Sequence, residues 1–190
     1  MYSGYRQIFW GLFLCTFHIN IGLIQVIPAF IGWLIVAGGL YTLYDAYAYT
    51  SFRKAHYTVI AIAGISLFGF IADFLGKRYE ILTYMPILIA IVEFLFIYYL
   101  LEGSIQYFLD AGEEAVAAGI KSNLQIYMLV FIFSNILGCI ALTIFDQTLL
   151  FIYMCLAFIL ILWLMRIVSR LKKIHQEPLI TMQESEINDK

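Results

Sequence analysis

The chain has 190 residues, 63% of them hydrophobic and only 13% charged, with a mean hydropathy of +0.90. A soluble domain carries about 45–50% apolar and about 25% charged residues, so the composition sets a water-soluble fold aside, and the net charge of −2 gives no ground for a nucleic-acid partner. The apolar residues form several continuous runs rather than alternating, which predicts an all-α polytopic transmembrane bundle of about six spans and disfavours a β-barrel.

The first run, 8–27, is long enough to cross a bilayer but is interrupted by His18, Asn20, Gly22 and Gln25. No small-residue cleavage site follows it, so it reads as retained rather than as a signal peptide. Pro28 suits the first turn of a second helix over 28–44, and Pro28 with Gly32 marks a candidate hinge. If residues 8–27 only dip into the membrane, five spans remain as the alternative. The polar stretch 45–56, with Arg53, Lys54 and His56, is expected as a loop. Further spans are expected at 57–75, 81–101, 124–145 and 149–168, the last with almost no polar atoms and so the most lipid-exposed. Between the fourth and fifth lies 102–123. There Ile105, Phe108, Leu109, Val116 and Ile120 recur at helical spacing opposite Glu102, Gln106, Asp110, Glu113 and Glu114, which predicts one amphipathic cytoplasmic linker helix. Its acidic face suits a protein partner better than anionic lipid. Residues 1–168 thus form the transmembrane domain and 169–190 a polar cytoplasmic tail.

Basic residues near span ends set orientation. With six spans and both ends inside, Arg6, Arg53, Lys54, Lys121, Arg166, Arg170, Lys172 and Lys173 fall on the cytoplasmic side, and Lys77 and Arg78 outside.

An ionisable group inside a span costs about 2.5–3.5 kcal/mol on insertion scales, so it faces the bundle and has a reason to be there. Glu93 is the foremost case. Thr83, Pro86, Ala90 and Glu93 make one stripe of the fourth span, and Ser66, Gly69, Asp73 and Gly76 repeat the rhythm on the third, as faces where small residues let helices approach. At about 1.5 Å per residue, Glu93 lies about 12 Å from the cytoplasmic end of its span, Ser66 about 14 Å, His18 about 15 Å and Asn135 about 17 Å. These four form a candidate intramembrane polar cluster, with Glu93 paired to His18 or Asn135. Such a cluster serves either as interhelical glue or as the seat of an ion or small ligand. Asp73 and Lys77, four apart near the outer boundary, read as an interfacial ion pair. His56 and His175 are expected to be solvated.

No catalytic residues, cofactor motif or metal-ligand spacing is present. The run GISLFG at 64–69 fails as a G-x-S-x-G elbow at Phe68, and H-E-x-x-H, Walker A and G-x-G-x-x-G are missing. Cys15, Cys139 and Cys155 lie inside apolar runs without paired spacing and read as reduced thiols.

The segments FWGLF at 9–13 and IQVIPAFIGWLIVAGGL at 24–40 resemble a family of uncharacterised bacterial multi-pass membrane proteins with an I-x-x-I/L-P-x-F-I-G-Y/W signature. The likeness covers about the first quarter of the chain and implies a bacterial cell membrane, with no activity attached. Those proteins often carry an acid after the proline, where this chain has Ala29, so no role of that carboxylate transfers. The functional expectation is a structural, interaction or accessory subunit, with a small-solute or ion carrier as the alternative. The span count is similar to that of substrate-binding subunits of vitamin transporters, but no small-residue docking motif is recognised in the first helix.

Overall fold

The computed structural model describes residues 2–16, 20–21, 24–25, 28–75, 85–144 and 147–174. Among these the chain is helical: α1 (Tyr2–Thr16), α2 (Ala29–Tyr47), α3 (Thr50–Phe74), α4 (Met85–Asp110), α5 (Glu114–Ile144) and α6 (Gln147–Ile174). Helices α2 to α6 are long and apolar enough to cross a membrane. The protein is an all-α multi-pass bundle, and its outward faces carry large apolar side chains such as Leu129, Phe133, Phe151 and Met154. Helix α6 is the least buried of the five long helices, as its lack of polar atoms predicts.

The expected first span, 8–27, is not one helix. Helix α1 ends at Thr16, and at 15 residues it measures only about 22 Å. Beyond it Asn20–Ile21 pairs antiparallel with Ile24–Gln25, so the polar residues at 20 and 25 sit in a tight reversal. Even so, α1 lies antiparallel against α2, and the up-and-down order of a six-helix bundle is kept. Pro28 is the N-cap of α2, with φ −63° and ψ 141°, extended geometry that starts a helix instead of bending one.

Helices α1 and α2 make the tightest seam in the molecule. A Cβ on Gly11 would lie 2.7 Å from the Gly32 carbonyl oxygen, and one on Gly32 2.8 Å from that of Gly11. Gly4 and Gly39 are related in the same way, at 2.9 and 2.6 Å. Each glycine admits the backbone of the facing helix, a small-residue docking surface the sequence did not reveal. Gly32, named from the sequence with Pro28 as a candidate hinge, is a close-contact residue of this seam. Gly69, expected in a close-packed stripe, has open space where a Cβ would be.

The expected linker helix 102–123 is not a separate element. Residues 102–110 continue α4, 114–123 begin α5, and only Ala111–Glu113 turn between them, with Gly112 at φ +75°. The helical periodicity was sound, but it belongs to two helices that extend past the apolar spans. Likewise the expected loop 45–56 shrinks to Ala48 and Tyr49, because Ala48 takes the left-handed conformation and its N–H caps α2 by donating to the Tyr44 carbonyl at 2.7 Å. His56 accordingly sits on α3, half-buried, and its Nδ1–H donates to the Ala37 carbonyl at 2.9 Å.

Each helix packs on its chain neighbours and α6 closes on α1, giving a ring. The ring is filled unevenly. Near the α2–α3 and α4–α5 turns the interior is solid, with Tyr5, Ile8, Phe52, Leu100, Leu101 and Phe108 at 0–1% exposure. There the Tyr5 hydroxyl meets Ser104 Oγ at 2.8 Å. Toward the other end the ring holds a cavity.

Candidate functional site

The cavity has a volume of about 370 Å³ and is lined from all six helices. Its polar residues are Glu93 on α4, Ser66 on α3, and Ser134 and Asn135 on α5. Three of the four residues expected to cluster, Glu93, Ser66 and Asn135, thus meet at one space. The fourth, His18, lies outside the described residues. So does Lys77, which leaves the expected Asp73–Lys77 pair unplaced, although the backbone of Asp73 is in the last turn of α3. His175 also lies outside them.

The position of Glu93 differs from expectation because α4 continues to Asp110. It lies about 25 Å from that end of the helix and only about 12 Å from Met85. The cavity consequently belongs to the half of the ring away from the α4–α5 turn. Thr16 and Ala29, the last residue of α1 and the first of α2, both line it, so it reaches that end of the α1–α2 pair.

The expected bond between Glu93 and Asn135 is not made. Asn135 Nδ2 donates to the Phe131 carbonyl at 2.8 Å, one turn back on its own helix. Among the described residues, no hydrogen-bond or ion-pair partner meets the Glu93 carboxylate or the Ser66 hydroxyl. Ser134 is more telling. Its residue is 1% exposed, and its Oγ is buried with no partner. Four other helical hydroxyls turn back onto the carbonyl four residues earlier: Thr16 to Leu12 at 2.8 Å, Thr42 to Gly38 at 3.0 Å, Ser104 to Leu100 at 2.8 Å and Thr143 to Cys139 at 2.8 Å. Ser134 does not take that route. An orphaned buried hydroxyl costs about 1–3 kcal/mol.

The apolar wall is aromatic. Trp33 and Phe96 meet edge to face with centroids 6.0 Å apart, Tyr127 and Phe131 lie 6.2 Å apart, and Tyr153 completes the set from α6. Tyr153 comes in over Gly138, where a Cβ would be 2.7 Å from its ring. Cys15 also lines the cavity and its thiol reaches the Ala29 carbonyl at 3.5 Å. Ser134, Tyr127, Tyr153, Trp33 and Cys15 were not singled out from the sequence. Only the buried face of α5, at spacings of three and four through Tyr127, Phe131, Ser134 and Gly138, offered a signal for some of them.

Among the described residues no group of three or more His, Cys, Asp or Glu side chains is placed to hold a metal ion. Comparison with protein-family models, with curated proteins and with solved structures finds no match for this chain. The functional argument therefore rests on the cavity.

Proposed function

We propose that the protein binds a small solute inside the membrane, as a carrier or as the solute-binding component of one. The observation that carries this reading is the 370 Å³ cavity itself, where aromatic walls surround a Glu93 carboxylate that meets no described partner. Small-molecule sites occupy about 300–1,000 Å³ and combine apolar walls with a few convergent polar groups. Interhelical glue predicts polar groups satisfied by one another, whereas Asn135 turns back to its own helix and Glu93 meets no described partner.

The interaction-subunit reading, favoured by the sequence, loses much of its stated surface. Glu102 accepts a hydrogen bond from Ser51 at 3.0 Å, and Asp110 accepts one from Tyr49 at 2.5 Å. Both acids are thus used between helices of the same chain.

Residence in the cytoplasmic membrane with both ends inside belongs to the same proposal. All eight described lysines and arginines lie nearer the α2–α3 and α4–α5 turns than the opposite end. Native mass spectrometry after mild solubilisation tests the functional reading. A small-molecule adduct lost in Glu93→Gln is expected; a stoichiometric protein partner with no adduct returns the interaction reading.

A further inference from the structure

Resting on that solute-binding reading, we propose that the solute is an organic cation with a flat apolar body. Its charged head would be held by Glu93 and the aromatic wall, and a polar group on its body by Ser66.

The sign follows from the lining. Among the described residues Glu93 is the one formally charged side chain lining the cavity, and no described lysine, arginine or histidine offsets it. A carboxylate in an apolar surrounding attracts a counter-charge strongly, because little water screens it. The rest of the wall acts in the same direction. Aromatic faces carry negative charge density and attract cations within about 6 Å of the ring centroid. Trp33, Phe96, Tyr127, Phe131 and Tyr153 present five aromatic side chains to one space.

The donor set among the described residues does not fit a calcium or magnesium ion. Calcium takes about 6–8 oxygen ligands and magnesium near-ideal octahedral geometry. This cavity offers one carboxylate and a few scattered hydroxyl and amide oxygens, in a volume meant for an organic molecule. An amine attached to an aromatic or alicyclic body matches these features: the carboxylate takes the ammonium, the aromatic edges and faces take the body, and the Ser66 hydroxyl on the α3 wall meets a polar substituent.

Three probes of one shape separate charge from fit: tryptamine, tryptophol and indole-3-propionate, cationic, neutral and anionic. Isothermal titration calorimetry of the whole protein in detergent at neutral pH is expected to find tryptamine bound at least about tenfold tighter than the other two, the effect of one well-placed charge pair. Glu93→Gln should reduce tryptamine affinity by about tenfold or more and bring it level with tryptophol, while Ser66→Ala leaves the cation preference intact. Equal or tighter binding of tryptophol or indole-3-propionate overturns the cation assignment and leaves solute binding standing. No heat from any of the three also overturns it, and solute binding then stands or falls on the co-purified molecule. Because the probe comparison uses the unaltered protein, it holds even if Glu93→Gln fails to fold.

Discussion

The Tyr5–Ser104 contact shows how a single proton can be assigned. Ser104 has one hydroxyl proton and donates it to the Leu100 carbonyl at 2.8 Å, so in the 2.8 Å contact with Tyr5 it is the acceptor and the phenol the donor. This bond ties α1 to α4 across the solid half of the ring. Removing either partner, by Tyr5→Phe or by Ser104→Ala, should cost about 1 kcal/mol, the net worth of a typical hydrogen bond. In the Tyr5→Phe background Ser104→Ala should cost much less, and denaturant unfolding of the four proteins in micelles measures that coupling; additive losses would refute the assignment. Outside the spans, Tyr49 donates to Asp110 at 2.5 Å, and this bond, ahead of its partial burial, pushes the phenol up to about 12. A raised folded-state value stabilises the protonated form, so the contribution is fully present below about pH 10 and fades as pH rises through 12. A tyrosinate difference titration of wild type against Tyr49→Phe should show this high-pH step, and Asp110→Asn should move it back toward 10. Residues were legible in the sequence where burial carries a large penalty. Glu93, Ser66 and Asn135 stood out because polar groups inside a span are expensive. Ser134 and Tyr153 did not, since serine and tyrosine are common in membrane helices and only the third dimension orphans one hydroxyl and seats the other's ring on Gly138.

Among the elements, the α1–α2 pair depends on four glycines in two reciprocal contacts, Gly4 with Gly39 and Gly11 with Gly32. Because the obstructing atoms include backbone oxygens at 2.6–2.9 Å, no rotamer change relieves an added methyl, and the helices must separate. Gly11→Ala or Gly39→Ala should each lower stability by about 1–3 kcal/mol, the usual cost of overpacking. Gly64→Ala and Gly69→Ala meet open space and should be neutral or slightly stabilising, since alanine is the better helix former. Thermal unfolding in one detergent separates the two groups, and a loss of the same size in both would show that the seam is not what holds α1. The seven-residue spacing of the two glycines on each helix, 4 and 11, 32 and 39, was visible in the sequence, but its meaning was not, because which residues face each other is set by how the two helices pair. Helix limits went astray for a related reason. Polar stretches at 45–56 and 102–123 looked like connections, yet these helices carry their hydrogen-bonded backbone well past the apolar run, and only Ala48 and Gly112, both at positive φ, turn the chain. Ala48 bears the strain of an L residue in that region, about 1–2 kcal/mol, so Ala48→Gly should be tolerated or stabilising although glycine usually weakens a fold. Gly112→Ala should do the reverse.

For the whole molecule, the uneven filling of the ring and the uneven distribution of charge point along one axis. The solid half carries the α2–α3 and α4–α5 turns together with every described lysine and arginine; the other half holds the cavity. With the basic end on the cytoplasmic side, as proposed, the packed core lies between the cavity and the cytoplasm, and a solute bound as proposed would enter from the opposite face. That arrangement suits uptake, in which the solute must first be held on the outer side of a closed floor. The orientation can be read with single thiols in a background where Cys139 and Cys155 are replaced by serine, both being on the outer surface of the bundle. Glu113→Cys, in the exposed α4–α5 turn, should resist a membrane-impermeant maleimide in intact cells and react only after the membrane is opened. Leu75→Cys, at the exposed end of α3, should react from outside without permeabilisation. Half-buried Cys15 is common to both and sets the background signal. Labelling in the opposite sense would invert the bundle. The cavity would then face the cytoplasm, and the same carboxylate and aromatic wall would serve export or retention in place of capture.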